Sequence, residues 1–170
     1  DGVLDDDGTA SLCANGQGNC GNRNAVYEIG TGGGTPPGAT NVALSGTATQ
    51  SSEGWGGTAA RAVDGDVSTA WGSASCTHTQ NGTPEWWQVD LGSMYAIMEF
   101  NLYHRTDCCQ DRLVGANIWL SMDGTYSSGV TCFASAAGGN VAQPEVGTCS
   151  GAAGRFMTVQ HSGRYITICE

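Results

Sequence analysis

The sequence predicts an all-β fold, an antiparallel β-sandwich of jelly-roll type, preceded by a non-globular N-terminal extension. From residue 41 onward, short segments in which apolar and polar residues alternate recur between turn residues, which is the pattern of half-buried strands. No segment shows a sustained helical period. The 170 residues include 27 Gly, and only 13% of the chain is charged, a composition typical of one loop-rich domain with a tail.

The predicted extension comprises residues 1–40. It is poor in bulky apolar residues and rich in Gly, Asp and Asn, so it cannot build a core of its own. Within it, residues 25–29 (Ala-Val-Tyr-Glu-Ile) alternate and form a candidate strand. Residues 30–40, which hold a Gly-rich run and Pro36-Pro37, form a predicted linker to the domain at 41–170.

The predicted strands of the domain have apolar residues at every second position, as expected when one face of a strand packs on a core. Trp86 and Trp87 are consecutive, so one of them must face inward, and both are interpreted as structural residues. The clearest predicted strands are residues 87–91, 97–102, 116–120, 156–159 and 165–168.

The charge of the chain excludes several functions. The net charge is −10 and all six basic residues are Arg. Nucleic acid is therefore not an expected partner, because phosphate binding needs a basic field, and a phosphate-binding loop ending in Gly-Lys-Ser/Thr cannot exist. The sequence has no apolar run that could span a bilayer and no signal peptide, so we expect a mature secreted protein.

Eight cysteines in a chain of this length indicate an oxidising compartment, but eight thiols allow 105 pairings and the sequence alone does not choose among them. The adjacent Cys108 and Cys109 would ordinarily serve two different bridges, because a bond between neighbours strains the intervening peptide. Asn81-Gly82-Thr83 is a sequon that predicts glycosylation of Asn81, although Pro84 follows it.

The candidate functional residues lie between His78 and Arg112. His78 is followed after 26 residues by Arg105, and Asp107 and Arg112 come directly afterwards. One imidazole and two guanidiniums supply hydrogen-bonding groups without an obvious nucleophile, which suits a site that holds neutral hydroxyl groups, as in a sugar. The alternative is a surface ion-pair cluster of little consequence.

This spacing resembles the fucose-binding motif of the F-type lectins (fucolectins), which belong to the discoidin-like superfamily. Similar stretches occur at residues 41–44, 62–65, 86–92 and 164–170, so the resemblance covers residues 41–170. It implies the jelly-roll sandwich of that family. It also implies that Arg105 and Arg112 bind the hydroxyls and ring oxygen of a sugar, that His78 contacts an axial hydroxyl, and that Asp107 orients the two cations.

The resemblance further implies that Cys108 and Cys109 are joined and form an apolar plate beneath the sugar. The candidate for the wall around the 6-methyl of fucose is Trp71, with Trp55 as a second candidate; either could instead be a core or edge residue. The remaining implied pairs are Cys76 with Cys169, Cys132 with Cys149, and Cys13 with Cys20.

A structural calcium site is also implied. Calcium prefers six to eight oxygen ligands. In this sequence they would be side-chain oxygens of Asp64 and Glu170, main-chain carbonyls of Arg61 and Asp66, and the hydroxyl and carbonyl of Ser75, next to Cys76. The alternative is a β-turn capped by Asp64.

Domains of this family normally continue past the Cys-Glu pair with another strand, whereas this sequence stops at Glu170. A missing strand would leave a sheet edge unpaired, which residues 25–29 could fill in their own domain or in a neighbour. A chain cut by proteolysis, or one that simply stops here, is the alternative explanation.

The sequence therefore predicts a secreted, calcium-stabilised lectin domain for L-fucose-type, fucosylated or related glycans. The alternative is a structural subunit of an extracellular fibre or homo-oligomer, assembled through residues 25–29. An enzyme is not expected, because neither a Gly-x-Ser-x-Gly elbow nor a His-Glu-x-x-His motif occurs. His104 and His161 are interpreted as strand-end or turn residues.

Overall fold

The computed structural model describes residues 39–134 and 143–170, and in these residues five antiparallel strands form one sheet. The strands are β1 (Thr47–Gln50), β2 (Glu85–Leu102), β3 (Asn117–Ser121), β4 (Val130–Ala134) and β5 (Glu145–His161). Their order in the sheet is β1-β2-β5-β3-β4. Short 3-10 turns lie at Ala43–Ser45, Ala59–Val63, Trp71–Ser73, Gln110–Leu113 and Tyr126–Ser128. Within these described ranges, no helix has the length and apolar character needed to cross a membrane.

Two strands that the sequence predicts separately, residues 87–91 and 97–102, form the single long strand β2. The pairing of β2 with β5 shifts register between Asp90 and Tyr95. Gly92, with φ of 78°, lies inside this shift, in a backbone conformation that favours glycine. The irregularity interrupts the alternation of the sequence without ending the strand. Predicted strands 116–120 and 156–159 correspond to β3 and to part of β5.

The core forms on one face of the sheet from cross-strand neighbours. Trp87 of β2 lies opposite Val159 of β5, which in turn lies opposite Ile118 of β3. All three side chains are buried, and Trp86 beside them is only partly so. The Trp87 indole N–H donates to the Ala59 carbonyl at 3.0 Å, which explains how so large a polar ring can be buried.

The second layer of the sandwich consists of short extended segments, which cover the other side of this core. The N–H groups of Thr77 and Thr79 donate to the carbonyls of Ile168 and Ile166 at 2.7 and 3.0 Å, and Tyr103 N–H donates to the Glu170 carbonyl at 2.7 Å. Ile166 and Ile168 are fully buried against the sheet core. The domain is thus an antiparallel sandwich, as predicted, although predicted strand 165–168 contributes only an isolated bridge between Ile168 and His104.

Three disulfides are present in the described residues: Cys76–Cys169, Cys108–Cys109 and Cys132–Cys149. The expectation that Cys108 and Cys109 serve two different bridges is therefore wrong, and the pairing implied by the family resemblance is the one observed. Cys76–Cys169 joins the two second-layer segments that pair through Thr77 and Ile168. Cys13, Cys20 and the candidate strand at residues 25–29 lie outside the described residues.

Candidate functional site

An open cup lies at the end of the sandwich where the second-layer segments meet the loops after β1 and β2. Its volume is about 190 Å³. Pockets for drug-sized ligands usually span several hundred Å³ or more, so this cup suits a single small ring. The lining residues are Trp55, Trp71, His78, Arg105, Arg112 and Tyr165.

His78 lies at the centre of the cup and is only 4% exposed. Its Nδ1–H donates to the Thr79 carbonyl, which leaves Nε2 as the accepting nitrogen of the ring. Burial lowers the pKa of His78, and the positive charges of Arg112 and Arg105 lower it further, against the opposing effect of the Thr79 bond. The imidazole is therefore neutral at physiological pH.

The backbone around His78 is fixed by a close neighbour. Gly54 N–H donates to the His78 carbonyl at 2.8 Å, and His78 N–H donates to the Gly57 carbonyl at 2.9 Å. A side chain at Gly57 would place its Cβ 2.5 Å from the His78 nitrogen, so only glycine fits there. The loop after β1 thus packs directly on the segment that carries the imidazole.

Arg112 comes from the 3-10 turn at Gln110–Leu113. Its Nη1 donates to His78 Nε2 at 2.8 Å and to the Thr167 hydroxyl at 3.1 Å. Its guanidinium carbon lies 5.0 Å from the centre of the Tyr165 ring, a cation-π distance. Burial, with the charge of Arg105, lowers the pKa of Arg112, yet an arginine remains charged in this setting.

Arg105 is held from two directions. Its Nε and Nη2 donate to the two carboxylate oxygens of Asp107 at 2.8 and 2.9 Å, a bidentate pair. Its guanidinium carbon also lies 5.0 Å from the centre of the Trp71 ring. Asp107 accepts the Trp71 backbone N–H at 3.1 Å as well, so this carboxylate ties the cation to the loop that carries the tryptophan. The hydrogen bonds from Arg105 are the largest cause that lowers the pKa of Asp107 to about 2.

Three aromatic rings surround the imidazole. The ring centre of His78 lies 5.1 Å from that of Trp55, 5.5 Å from that of Trp71 and 5.2 Å from that of Tyr165. Trp55 has a φ of 52° and is 75% exposed, so a large apolar surface stands open to solvent at the rim. Such an exposed ring beside converging polar groups is typical of a ligand site.

The structure brings most of the sequence-predicted residues together. His78, Arg105, Arg112, Trp55 and Trp71 line the cup. Asp107 lies behind Arg105 and is not among the lining residues, and neither is the Cys108–Cys109 disulfide that the resemblance implies as a floor.

Sequence reasoning missed Tyr165 and Thr167, which both contact Arg112. They alternate with the buried Ile166 and Ile168, so they share the opposite face of their segment. That alternation was the available signal.

The candidate calcium residues lie near one another at the edge of the second layer. Gly65 N–H donates to the Glu170 carboxylate at 3.2 Å. Burial raises the pKa of Glu170, and the neighbouring carboxylates of Asp64 and Asp66 add to this rise. The Ser75 hydroxyl donates to the Ser68 carbonyl, and Arg61 Nη1 donates to the Cys76 carbonyl at 3.1 Å.

No cluster of three or more His, Cys, Asp or Glu side chains in metal-binding proximity occurs in residues 39–134 and 143–170. A hard cation does not need such a cluster, because main-chain carbonyls and hydroxyls can complete its ligand shell. The oxygen donors of Glu170 and of the loop that holds Asp64 and Asp66 are therefore of the type that calcium prefers.

Comparisons with known proteins agree on the fold and the family. The model of the NedA-like, galactose-binding domain family matches residues 61–159. Fucolectin-5 of Anguilla japonica is 42% identical over 83 residues, which are 46% of this chain and 44% of that protein. The chain thus matches less than half the length of this curated relative.

Two solved structures extend the similarity to most of the described residues. A fucolectin from Morone saxatilis (striped bass) serum is 31% identical with a TM-score of 0.72, covering 78% of this chain and 46% of the other. A fucose binding module of Streptococcus pneumoniae, SpX-3, is 25% identical with a TM-score of 0.67, covering 78% of this chain and 95% of the module. The chain therefore belongs to the NedA-like, galactose-binding domain family and contains an F-type lectin (fucolectin) domain of discoidin-like fold.

Proposed function

We propose that this chain is a secreted, calcium-stabilised lectin domain that binds L-fucose, or a sugar with the same hydroxyl arrangement, in the cup. The observation that carries the proposal is the convergence of a neutral imidazole and two guanidiniums within aromatic walls. The names of its relatives, a fucolectin and a fucose binding module, support the same ligand class.

The polar groups of the cup suit neutral hydroxyls. A hydroxyl both donates and accepts, whereas a guanidinium only donates. Arg105 and Arg112 would donate to the oxygens of neighbouring hydroxyls or of the sugar ring. The ring of His78 is already oriented because Nδ1–H is bound to Thr79, and its Nε2 accepts from Arg112 in this structure. Nε2 would supply the complementary acceptor to a sugar hydroxyl that takes the place of this Arg112 donor.

The aromatic walls suit the apolar parts of the same sugar. Trp55, Trp71 and Tyr165 enclose the imidazole on three sides. Aromatic rings contribute large apolar areas at a fixed orientation, so they can cover the C–H face or the 6-methyl of fucose. A sugar lacking that methyl would leave part of this wall exposed to water.

Binding rather than hydrolysis is the expected outcome. Glycoside hydrolysis generally uses a pair of carboxylates on either side of the scissile bond. None of the six residues that line the cup is Asp or Glu. Small sites of this kind usually give Kd values from millimolar to micromolar, so retention on a glycan surface would require several copies of the domain.

Calcium would stabilise the loops beside the cup. Glu170 and the loop of Asp64 and Asp66 would supply oxygen ligands. Arg61, close to this loop in sequence, connects it to the cup, because its guanidinium carbon lies 5.8 Å from the centre of the Trp71 ring. The ion would therefore act through the position of these loops.

The three disulfides of the described residues support an oxidising, extracellular location.

A fluorescence titration tests the proposal, because Trp55 and Trp71 both line the cup. Adding L-fucose should produce a saturable change in tryptophan emission, and D-glucose should not. Arg105→Ala should abolish the response, whereas Arg164→Ala, which removes a surface arginine paired with Asp111, should retain it. An unsaturable response, or an equal response in Arg105→Ala, would contradict the proposal.

A further inference from the structure

A second histidine, His104, directly precedes the cup residue Arg105. It is as deeply buried as His78, with 3% of its surface exposed against 4%. Its backbone forms the isolated bridge with Ile168, which places it in the second layer of the sandwich. It is not among the residues that line the cup. Any effect of His104 on a ligand in the cup must therefore pass through its neighbours.

The hydrogen bonds of His104 define its tautomer. Its backbone N–H can only donate, and it donates to Oε1 of Gln143 at 3.0 Å, which fixes the orientation of that amide. The Nε2 group of Gln143 therefore donates to Nε2 of the imidazole, which must accept. The ring proton is then on Nδ1, and Nδ1–H donates to the Arg105 carbonyl at 2.9 Å. Gln143 thus makes the imidazole a donor towards the main chain of Arg105.

The peptide unit between Arg105 and Thr106 is consequently held by both of its polar groups. His104 binds its carbonyl, and the Thr106 N–H donates to the Thr69 carbonyl at 3.1 Å. Thr69 lies two residues before Trp71 in the chain, so this second contact joins the peptide to the segment that carries a wall of the cup. The main chain of Arg105 is thus fixed to two other parts of the domain.

This anchoring matters because the other restraint on Arg105 is local. The guanidinium pairs with Asp107, which is only two residues further along the same loop and is partly exposed. Such a pair can move together with its loop. An arginine side chain has many rotamers, and a hydrogen bond to a hydroxyl tolerates little displacement of the donor. The peptide contacts therefore decide where the paired guanidinium lies relative to the cup.

Given the proposed function, on which this inference rests, we propose that His104 is a positioning residue for sugar binding. It acts through the Arg105 carbonyl and keeps the Arg105 guanidinium at the cup. His104 itself does not touch the sugar.

Two substitutions separate the contacts of the imidazole. The side-chain amide of Asn overlays Nδ1 of His, so His104→Asn keeps a donor for the Arg105 carbonyl and loses the contact with Gln143. The longer amide of Gln overlays Nε2, so His104→Gln keeps the contact with Gln143 and loses the donor. His104→Ala lacks both. The matched control is His161→Asn, another buried histidine, whose Nε2 bonds the Val114 carbonyl away from the cup.

Calorimetric titration with L-fucose and thermal melting are measured on each protein. His104→Asn and His161→Asn should bind fucose within about twofold of the wild type, whereas His104→Gln and His104→Ala should bind roughly tenfold more weakly. The melting temperature should not follow this division, because every variant loses at least one hydrogen bond of a buried group. A purely structural role predicts instead that affinity follows the melting temperature.

The Nε–H resonance of Arg105 gives a second readout, and its absence in Arg105→Lys identifies it. It should keep its wild-type shift in His104→Asn and change in His104→Gln. Wild-type affinity in His104→Gln and His104→Ala, or a His104→Asn variant that binds as weakly as they do, would overturn the inference and leave the proposed function standing. A wild-type protein that does not bind fucose would overturn both.

Discussion

Arg112 donates a hydrogen bond from Nη1 to Nε2 of His78 at 2.8 Å. Because Nδ1–H of the same ring is bound to the Thr79 carbonyl, this contact requires the neutral tautomer with its lone pair on Nε2. The two functional side chains thus orient each other before any ligand arrives. Such prearrangement reduces the conformational freedom that a ligand must remove on binding.

Acid should weaken sugar binding through His78. Burial, followed by the charges of Arg112 and Arg105, lowers the pKa of His78 below its ordinary value of about 6.5. The neutral ring therefore predominates above that value, and its contribution to binding and to stability is lost as the pH falls through the lower pKa of the folded state. Protonated Nε2 cannot accept from Arg112 and would add a third cation to the cup.

Measuring the Kd for L-fucose between pH 8 and pH 4.5 tests this prediction. Affinity should stay level at neutral pH and fall in the acid range, and His78→Gln should bind weakly at every pH with little pH dependence. His161→Gln, which changes a histidine whose Nε2 donates to the Val114 carbonyl away from the cup, should keep the wild-type profile. An affinity that rises as the pH falls would contradict this assignment.

Asp107→Asn should weaken fucose binding without unfolding the protein. The carboxylate holds Arg105 in a bidentate pair. Because the Asp107 side chain is 36% exposed, solvent screens part of that interaction. We expect a loss of about 1 kcal/mol in binding, roughly fivefold in Kd. Asp111→Asn removes the pair with Arg164, whose two side chains are largely exposed, and should leave the Kd unchanged. If the two substitutions change the Kd for fucose equally, Asp107 does not position Arg105.

Much of this site could be predicted from the sequence. The spacing of His78, Arg105 and Arg112 identifies the polar centre of the cup, because a family motif fixes which side chains converge. Tyr165 was not predicted, since its place in the cup depends on how the segment at 165–168 pairs with residues 77–79. Such pairing between segments far apart in sequence leaves only a weak local signal.

The vicinal disulfide was predicted through the family resemblance, and the bond between Cys108 and Cys109 is present. Its role as a plate beneath the sugar stays a prediction. The long strand β2 was predicted as two strands, because the register shift near Gly92 interrupts the alternation that identifies a strand.

Glu85→Gln should lower the stability of the loops around the site. Burial acts to raise the pKa of Glu85, but the hydrogen bonds from Ser51, Ser52 and Gly82 outweigh it, so the pKa lies below its ordinary value. The carboxylate therefore contributes stability at neutral pH that is lost as the pH falls through this lowered pKa. An amide would present its N–H₂ to groups that also donate, which costs about 1 to 3 kcal/mol.

Urea unfolding at pH 7 measures this effect. The free energy of unfolding should fall by that amount in Glu85→Gln, and the difference from the wild type should shrink in acid. Glu99→Gln, on an exposed part of β2, should change it by less than about 0.5 kcal/mol. If the two variants unfold alike, Glu85 does not hold the loops together.

Chelation should lower the melting temperature. An ion that binds only the folded state stabilises it by an amount that grows with its concentration, about 2.7 kcal/mol at a hundredfold excess over its Kd. Calcium added after EDTA should restore the original melting temperature in the wild type. Glu170→Gln should lose this response, while Asp123→Asn, whose carboxylate accepts from Thr125 and Ser128, should retain it. Identical melting in EDTA and in calcium would rule out the metal site.

The most direct measurement is a crystal structure of the chain with L-fucose. One sugar should occupy the cup, with its hydroxyl or ring oxygens within about 3.2 Å of nitrogens from His78, Arg105 and Arg112, and with its methyl group against the aromatic wall. A sugar bound elsewhere on the domain, or an empty cup at saturating fucose, would contradict the proposed function.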